Sequence, residues 1–196
     1  MRSLADGRLY ALKRSARPFR GPTERQRSLL EAHRHRAVGR SPHCVQLWAA
    51  WEERGVLYLQ SQLCSEGSLH HHHHRHHHGG PLWDLLGALR HLHGRRMSHG
   101  DVRPSNAMLD GGRCLLGDFG WCGEEGGSGR YAAPEAAEAM AEATTAEGDV
   151  FSLGLTVAEV ALGERADDGE TWTELRGGRL PHALRAGGAI GGGGGG

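Results

Sequence analysis

Two short polar motifs separated by a few strand-like residues constrain this chain more than any other feature. The segment His99–Asn106 reads HGDVRPSN, and the later segment Asp118–Gly120 reads DFG. Together they place two carboxylates and one amide on short connections. Phosphoryl transfer requires such groups, because one must orient a hydroxyl nucleophile and others must give oxygen ligands to Mg²⁺. Either motif alone arises easily by chance, so the order of the surrounding segments decides its meaning.

The first part of the chain has strand character interrupted by one helix. A helix is predicted over Pro22–His35, with Thr23 and Gln26 at the spacing of a capping box. The sequence EERG at residues 52–55 predicts a hairpin connection. Strands are predicted over Arg8–Lys13, Val45–Trp51 and Val56–Leu63.

The second part of the chain is more helical. The segment Leu82–Leu92 carries leucines at the spacing of one helix face. Further helices are predicted over Ala136–Ala143 and Val150–Leu162, and short strands over Ala107–Leu109 and Cys114–Leu116. A strand-rich part followed by a helix-rich part predicts an α+β protein with two lobes, joined near residues 62–68.

Two low-complexity segments lack the periodic apolar face that packing requires. Residues 70–78 contain eight histidines around Arg75, and we predict an exposed loop there. A specific metal site in this run would make the protein a histidine-rich metal binder, but adventitious affinity for Ni²⁺ or Zn²⁺ explains the pattern better. Residues 187–196 are mostly glycine and predict a disordered tail.

Charge and cysteine usage exclude several classes of protein. The chain has 23 basic and 23 acidic residues and a formal net charge of zero, which argues against a nucleic-acid binder. The four cysteines form no C-x-x-C pair, so reduced thiols in the cytoplasm or nucleus are expected. The most apolar stretch, Val150–Gly163, is too short to span a bilayer.

The two polar motifs belong to an ordered series. Ala11–Lys13 precedes them on a predicted strand, and Ala133–Glu135 (APE) and Asp149–Gly154 (DVFSLG) follow them. This order resembles the eukaryotic protein kinase signature. The segments GRLYALKRS, PFRGP, VLYLQSQLC and DVFSLGLTVAEVA resemble the Wee/Myt kinases, and the Myt branch most closely. The resemblance covers most of residues 2–183, except the histidine run.

The resemblance implies a two-lobed protein-kinase-like fold of the α+β class. A small, mainly β N-lobe would occupy residues 1–63 and a mainly helical C-lobe residues 64–186, before the glycine-rich tail. In the family a GxGxxG hairpin would precede Arg2 and further helices would replace the glycines near the end. The kinase domain of residues 1–186 is therefore expected to be truncated at both ends.

The family's activity is ATP- and Mg²⁺-dependent phosphorylation of a neighbouring threonine and tyrosine on a mitotic cyclin-dependent kinase. The resemblance thus implies a cyclin-dependent kinase–cyclin complex as protein partner, negative regulation of the G2/M transition, and no nucleic-acid partner. The Myt branch is tethered to endoplasmic reticulum and Golgi membranes through a segment beyond the kinase domain. We expect no membrane segment in this chain itself.

Site roles follow from the resemblance position by position. Lys13 would hold the α- and β-phosphates and pair with Glu31, although Glu24, which lies about two turns earlier on the same helical face, is a competing candidate. Asp101 would orient the substrate hydroxyl and accept its proton. Asn106 and Asp118 would bind Mg²⁺. The adenine-binding hinge would be formed by Gln62, Leu63 and Cys64, with the small Ser61 as gatekeeper.

Other positions carry structural roles or depart from the common kinase pattern. His99 and Phe119 would pack in the regulatory spine, and Asp149 would fix the backbone of the catalytic loop. Arg103 stands where Ser/Thr kinases have a lysine, so it keeps a cation with different geometry. Gly100 stands where many kinases have an arginine that grips a phosphorylated activation loop. Arg103 and the missing glycine-rich loop leave a second function open, namely a catalytically impaired pseudokinase or binding module.

Overall fold

The computed structural model describes residues 1–72, 80–120, 131–133, 144–163, 169–179 and 181. The predicted helix at 136–143, most of the histidine run, Pro134 and Glu135, and the glycine-rich tail lie outside the described residues. The described strands are β1 (Tyr10–Arg14), β2 (Leu47–Glu53), β3 (Val56–Gln62), β4 (Gly67–Ser68), β5 (Ala107–Asp110) and β6 (Arg113–Leu116). The described α-helices are α1 (Pro22–Val38), α2 (Gly80–His93), α3 (Ala146–Leu162) and α4 (Glu170–Arg176).

The first sheet is antiparallel with strand order β1-β3-β2. Its β2–β3 hairpin turns at Arg54 and Gly55, which both have positive φ angles of 52° and 75°. Two consecutive residues of this kind match the right-handed twist of the flanking strands. The hairpin prediction is confirmed, but the predicted four-residue break was wrong, since Glu52 and Glu53 continue β2. The register places Lys13 beside Leu59.

Helix α1 packs on this sheet and supplies side chains to the cleft below it. Its apolar contacts with the sheet are made by Ala32 and Leu29 against Leu57 and Leu59. The helix begins at Pro22 as predicted, but the predicted capping box was wrong, because Gly21 is the N-cap and no side chain caps the helix. The fixed φ of Pro22 suits the first helical position and places Thr23 inside the helix.

The second part combines the small sheet β4-β5-β6 with α2, α3 and α4. Its main core lies where the leucines of α2 meet β6, α3 and the segment His99–Asn106, called the catalytic-motif segment below. Burying each of these large apolar side chains contributes roughly 1.5–3 kcal/mol. The fully enclosed members include Leu85, Leu89, Leu92, Val102, Leu116, Phe119 and Leu153. This core confirms the helical face predicted at Leu82–Leu92.

The sheet-rich and helix-rich parts meet around the loop that follows α1. Cys44 bridges to Leu116 of β6, and the amide of Val45 donates to the carbonyl of Leu116 at 2.8 Å. The predicted α+β architecture, with a β-sheet first lobe and a mainly helical second lobe, is confirmed. The histidine run begins with a short 3₁₀ turn over Leu69–His71, which differs from the loop that was predicted there. Among the described helices, none has the length and apolar character needed to cross a membrane.

Candidate active site

Three charged side chains meet where β1 and α1 face the second part of the chain. The Nζ atom of Lys13 lies 2.6 Å from Oε1 of Glu31 and 3.3 Å from Oδ1 of Asp118. The competing candidate Glu24 pairs instead with Arg17 at 2.6 Å. Partial burial alone would lower the pKa of Lys13, but the hydrogen bond and charge of Glu31, together with Asp118, raise it. The ammonium is therefore charged at neutral pH.

Phe119 is fully buried between two histidine rings. Its ring centroid lies 4.8 Å from that of His35 on α1 and 5.3 Å from that of His99. Burial lowers the pKa of both histidines, so both are neutral. His35 donates through Nε2 to the carbonyl of Val45 at 2.8 Å, and His99 donates through Nε2 to that of Gly117 at 3.1 Å. Each ring thus packs on Phe119 while its polar edge is satisfied.

The catalytic-motif segment places Asp101 and Asn106 in direct contact. Nδ2 of Asn106 donates to the carbonyl and to Oδ2 of Asp101, both at 2.8 Å. These two bonds fix the amide orientation, because only nitrogen can donate to a carbonyl. Asp101 is 4% exposed, and its Oδ1 accepts no hydrogen bond from the described residues. Leaving a buried carboxylate oxygen without a hydrogen-bond donor costs free energy, so this atom is suited to accept a hydrogen bond from a hydroxyl group.

Asn106 and Asp118 belong to the same cluster through the backbone. The amide of Gly117, next to Asp118, donates to the carbonyl of Asn106 at 2.8 Å. Lys13, Asp118, Asn106 and Asp101 are therefore linked by one run of contacts, although they are far apart in the sequence. Within the described residues, no group of three or more His, Cys, Asp or Glu side chains is placed to hold a metal ion.

Arg103 reaches the same carboxylate as Asn106. Its Nε atom lies 3.3 Å from Oδ2 of Asp101, without the angle that a hydrogen bond requires. The Arg103 side chain is 40% exposed, so its guanidinium extends from the buried carboxylate towards solvent. The Arg103 cation therefore stands directly beside the Asp101 carboxylate.

Asp149, at the start of α3, orders the backbone before Asp101. Its Oδ2 accepts from the amide of His99 at 2.7 Å and its Oδ1 from the amide of Gly100 at 2.8 Å. His93 at the end of α2 donates to Oδ2 as well, at 2.8 Å. Three donors from two segments thus converge on a carboxylate that is almost fully buried.

The proposed hinge follows the end of β3. Ser61 pairs in register with Ala11 of β1, and Leu63 is exposed while Cys64 is buried. Burial raises the pKa of the Cys64 thiol to about 11, so the thiol is protonated at neutral pH. No described contact assigns these residues to adenine, and that role stays a prediction.

Asp110 joins both ends of this hinge. Its Oδ2 accepts from Nε2 of Gln62 at 3.1 Å, and its Oδ1 accepts from the hydroxyl of Ser65 at 3.1 Å. One carboxylate at the end of β5 is therefore bonded to the segments on either side of Leu63 and Cys64.

Gly100 has a backbone reason for lacking a side chain. Its φ is +78°, and a Cβ there would lie 2.5 Å from Cγ2 of Thr144. The arginine found at this position in many kinases therefore does not fit the local backbone. We expect Gly100→Arg to lower the free energy of unfolding by about 1–3 kcal/mol, because a left-handed non-glycine residue and a clash are both introduced.

Chemical denaturation of the two proteins measures this effect. Gly154→Ala is the matched control, since Gly154 lies in α3 with nothing within 4 Å of the added Cβ. Alanine there should be neutral or stabilise by about 0.5–1 kcal/mol. Equal stability of wild type and Gly100→Arg would contradict the strain described at this position.

Two side chains in the site were missed by the sequence reasoning. His35 and Arg34 both lie on α1, one turn after Glu31, and Arg34 donates to the carbonyl of Gly120 at 2.6 Å. The usable signal was the i, i+3, i+4 spacing from Glu31, which places all three on one helix face.

Comparisons with known proteins agree with this geometry. Residues 1–176 match the family described as protein kinase domain. A probable protein kinase of Dictyostelium discoideum is 31% identical over 201 residues, which cover 92% of this chain and 56% of that protein. The membrane-associated tyrosine- and threonine-specific cdc2-inhibitory kinase of Caenorhabditis elegans is 33% identical over 202 residues, covering 93% of this chain and 29% of that protein.

A third relative is the mitosis inhibitor protein kinase wee1 of Schizosaccharomyces pombe. It is 34% identical over 195 residues, covering 90% of this chain and 22% of that protein. The chain thus spans from about a fifth to somewhat more than half the length of these curated relatives. Because the family match extends over most of its length, the chain belongs to the protein kinase domain family.

Proposed function

We propose that this protein transfers the γ-phosphate of ATP to a hydroxyl group of a protein substrate. The observation that carries the proposal is the buried Asp101, whose Oδ1 accepts no hydrogen bond within the described residues and whose Oδ2 is held by Asn106. A substrate hydroxyl that donates to Oδ1 would be oriented for attack and could lose its proton to this carboxylate. Arg103 would stabilise charge beside it.

ATP would lie between the hinge and the charged cluster. Lys13, held by Glu31 at 2.6 Å, supplies a fixed cation for the α- and β-phosphates. The polypeptide segment Ser61–Cys64 would meet the adenine ring. In the transfer, the substrate oxygen bonds to the γ-phosphorus while the bond from that phosphorus to the β–γ bridging oxygen breaks.

The donor set at this site fits Mg²⁺, which prefers oxygen ligands. Both described hydrogen bonds of the Asn106 side chain use its nitrogen, so its carbonyl oxygen is the atom left for a ligand role. The carboxylate of Asp118 is 41% exposed and carries negative charge into the cleft. Asn106 and Asp118 would hold the ion, and when bound it would neutralise charge on the phosphates.

For the substrate, we propose a mitotic cyclin-dependent kinase in complex with its cyclin, phosphorylated on threonine and tyrosine. The support comes from the relatives, which include a cdc2-inhibitory kinase at 33% identity and a mitosis inhibitor kinase at 34% identity. The segments GRLYALKRS and VLYLQSQLC favour the Myt branch. The protein would then restrain the G2/M transition from the cytoplasm or nucleus, or at endoplasmic reticulum and Golgi membranes as in that branch.

The test is phosphate transfer by the full-length protein to a purified cyclin-dependent kinase–cyclin complex, with sites located by mass spectrometry. We expect Mg²⁺-dependent modification of a neighbouring threonine and tyrosine, and a loss of at least about tenfold for Lys13→Ala. Arg14→Ala, at the next residue of β1, is the matched control and should keep the wild-type rate. Modification of other sites only would refute the substrate assignment, and no transfer to any protein would refute the activity.

A second function is favoured by the ion pair between Arg103 and Asp101. A guanidinium whose Nε lies 3.3 Å from Oδ2 of the proposed base could keep a substrate hydroxyl from that carboxylate, which suits a binding module without catalysis. A thermal-shift titration with Mg·ATP separates the functions, because a ligand of the folded state raises apparent stability. Binding without transfer, together with recovery of transfer in Arg103→Lys, would favour this second function.

A further inference from the structure

One face of α1 contacts the whole Asp118–Gly120 segment. Glu31 reaches Asp118 through Lys13, whose Nζ lies 2.6 Å from the glutamate and 3.3 Å from the aspartate. His35 packs its ring on Phe119 with centroids 4.8 Å apart. Arg34 donates through Nη1 to the carbonyl of Gly120 at 2.6 Å. Three helix residues at positions i, i+3 and i+4 therefore interact, directly or through Lys13, with three consecutive residues of the segment.

The Arg34 contact is a charge-assisted hydrogen bond. It joins a permanently charged guanidinium to a backbone carbonyl in a partly buried setting, and such charge-assisted bonds are the stronger class. The bond is made to the backbone, so it constrains the path of the chain and not the choice of side chain at Gly120. A Cβ on Gly120 would make only ordinary van der Waals contacts, the nearest at 3.4 Å from Oδ1 of Asp118.

Asp118 requires such a constraint. Its φ is +60°, in the left-handed region that non-glycine residues rarely occupy. Its own contacts are long, with 3.3 and 3.4 Å to Nζ of Lys13 and 3.4 Å from the amide of Gly120. A strained backbone persists only where surrounding contacts fix it. The short bond from Arg34 to Gly120 is a contact of that kind, two residues after the strained position.

We propose that Arg34 is a positioning residue which holds Asp118 in the orientation needed to bind Mg²⁺-nucleotide. The support comes from α1 and requires no phosphate on the activation loop, in keeping with Gly100, which offers no side chain to grip one. This proposal rests on the proposed kinase function, since it concerns the same metal-binding carboxylate. In this role Arg34 acts through its bond to the carbonyl of Gly120.

The experiment compares full-length wild type with Arg34→Ala, Arg34→Lys and the control Arg27→Ala. Arg27 is exposed on the same helix, two turns before the contact. The first readout is the Mg²⁺ concentration that half-saturates the thermal shift produced by ADP. The second is the Mg²⁺ dependence of phosphate transfer, with the KM for protein substrate measured alongside. Melting curves without ligand show whether each variant is folded.

For Arg34→Ala we expect the half-saturating Mg²⁺ concentration to rise about 10- to 100-fold, the scale of one hydrogen bond to a charged group. Arg34→Lys keeps a cationic donor and should recover most of the loss, while Arg27→Ala and the KM for protein substrate should stay unchanged. Wild-type Mg²⁺ dependence in Arg34→Ala would overturn the proposal, as would an equal loss in Arg27→Ala.

The binding readout separates this proposal from the proposed function. If wild type binds Mg·ADP but transfers no phosphate, the kinase activity fails and Arg34 is judged on the Mg²⁺ dependence of binding alone. If Arg34→Ala is unfolded, Arg34→Lys decides the question. A partial rise in the Mg²⁺ requirement of Arg34→Lys supports the positioning role. No rise, together with a reduced melting temperature, shows a purely structural contact and overturns the proposal.

Discussion

Asp101→Asn is expected to lower the rate of phosphate transfer by about 10²–10⁴-fold, the usual contribution of a positioned general base. The structure gives a specific reason. The asparagine oxygen would take the place of Oδ2, because Nδ2 of Asn106 donates there at 2.8 Å. The new amide nitrogen would then stand where Oδ1 receives the substrate hydroxyl. It would present a donor in place of an acceptor and could not take up a proton.

Initial rates at saturating ATP and protein substrate measure this effect. ATP affinity should change by less than about twofold, since Asp101 does not contact the phosphates in the proposed arrangement. Asp6→Asn makes the same chemical change on an exposed loop and serves as the control. A transfer rate for Asp101→Asn equal to that of Asp6→Asn would rule out Asp101 as the base.

Asp149→Ala is expected to produce the largest loss of stability, about 3–5 kcal/mol in the free energy of unfolding. The substitution leaves the amides of His99 and Gly100, as well as the ring nitrogen of His93, without their shared acceptor. All three donors meet a carboxylate that is only 2% exposed, so water cannot readily replace it. The backbone before Asp101 would also lose its fixed position.

Urea unfolding followed by tryptophan fluorescence and circular dichroism measures the change. Glu147→Gln is the matched control, because Glu147 lies in the same first turn of α3 but is exposed. Its loss removes only a favourable charge near the helix N-terminus, worth about 0.3–1 kcal/mol. If the two variants unfold at the same urea concentration, the convergence on Asp149 contributes little to stability.

The elements of this fold were largely predictable because apolar periodicity reports local burial. The helix at Leu82–Leu92 and the strand at Val56–Leu63 were found within one or two residues of their observed ends. The start of α1 at Pro22 was predicted correctly, but its cap was not, since the restricted φ of Pro22 suits this boundary and the Thr23 side chain caps nothing. The choice of Glu31 over Glu24 agrees with the observed contact to Lys13.

Contacts between distant side chains and backbone groups could not be predicted in the same way. Nothing in the local sequence indicates that Arg34 bonds to the carbonyl of Gly120, or that Asp110 bonds to Gln62 and Ser65. Such bonds depend on where two separately formed elements are placed by the core. The requirement for glycine at position 100 likewise appears only once Thr144 is packed against it.

The position of Asp110 has a consequence for turnover. Nucleotide exchange in a two-lobed enzyme requires the lobes to swing apart, and that movement often limits the overall rate. The Asp110 carboxylate is bonded on both sides of the proposed hinge, to Gln62 and to Ser65. A change in the angle between the lobes would therefore stretch or break at least one of these two hydrogen bonds. In the proposed kinase, we therefore expect these two bonds to slow the departure of ADP more than the chemical step.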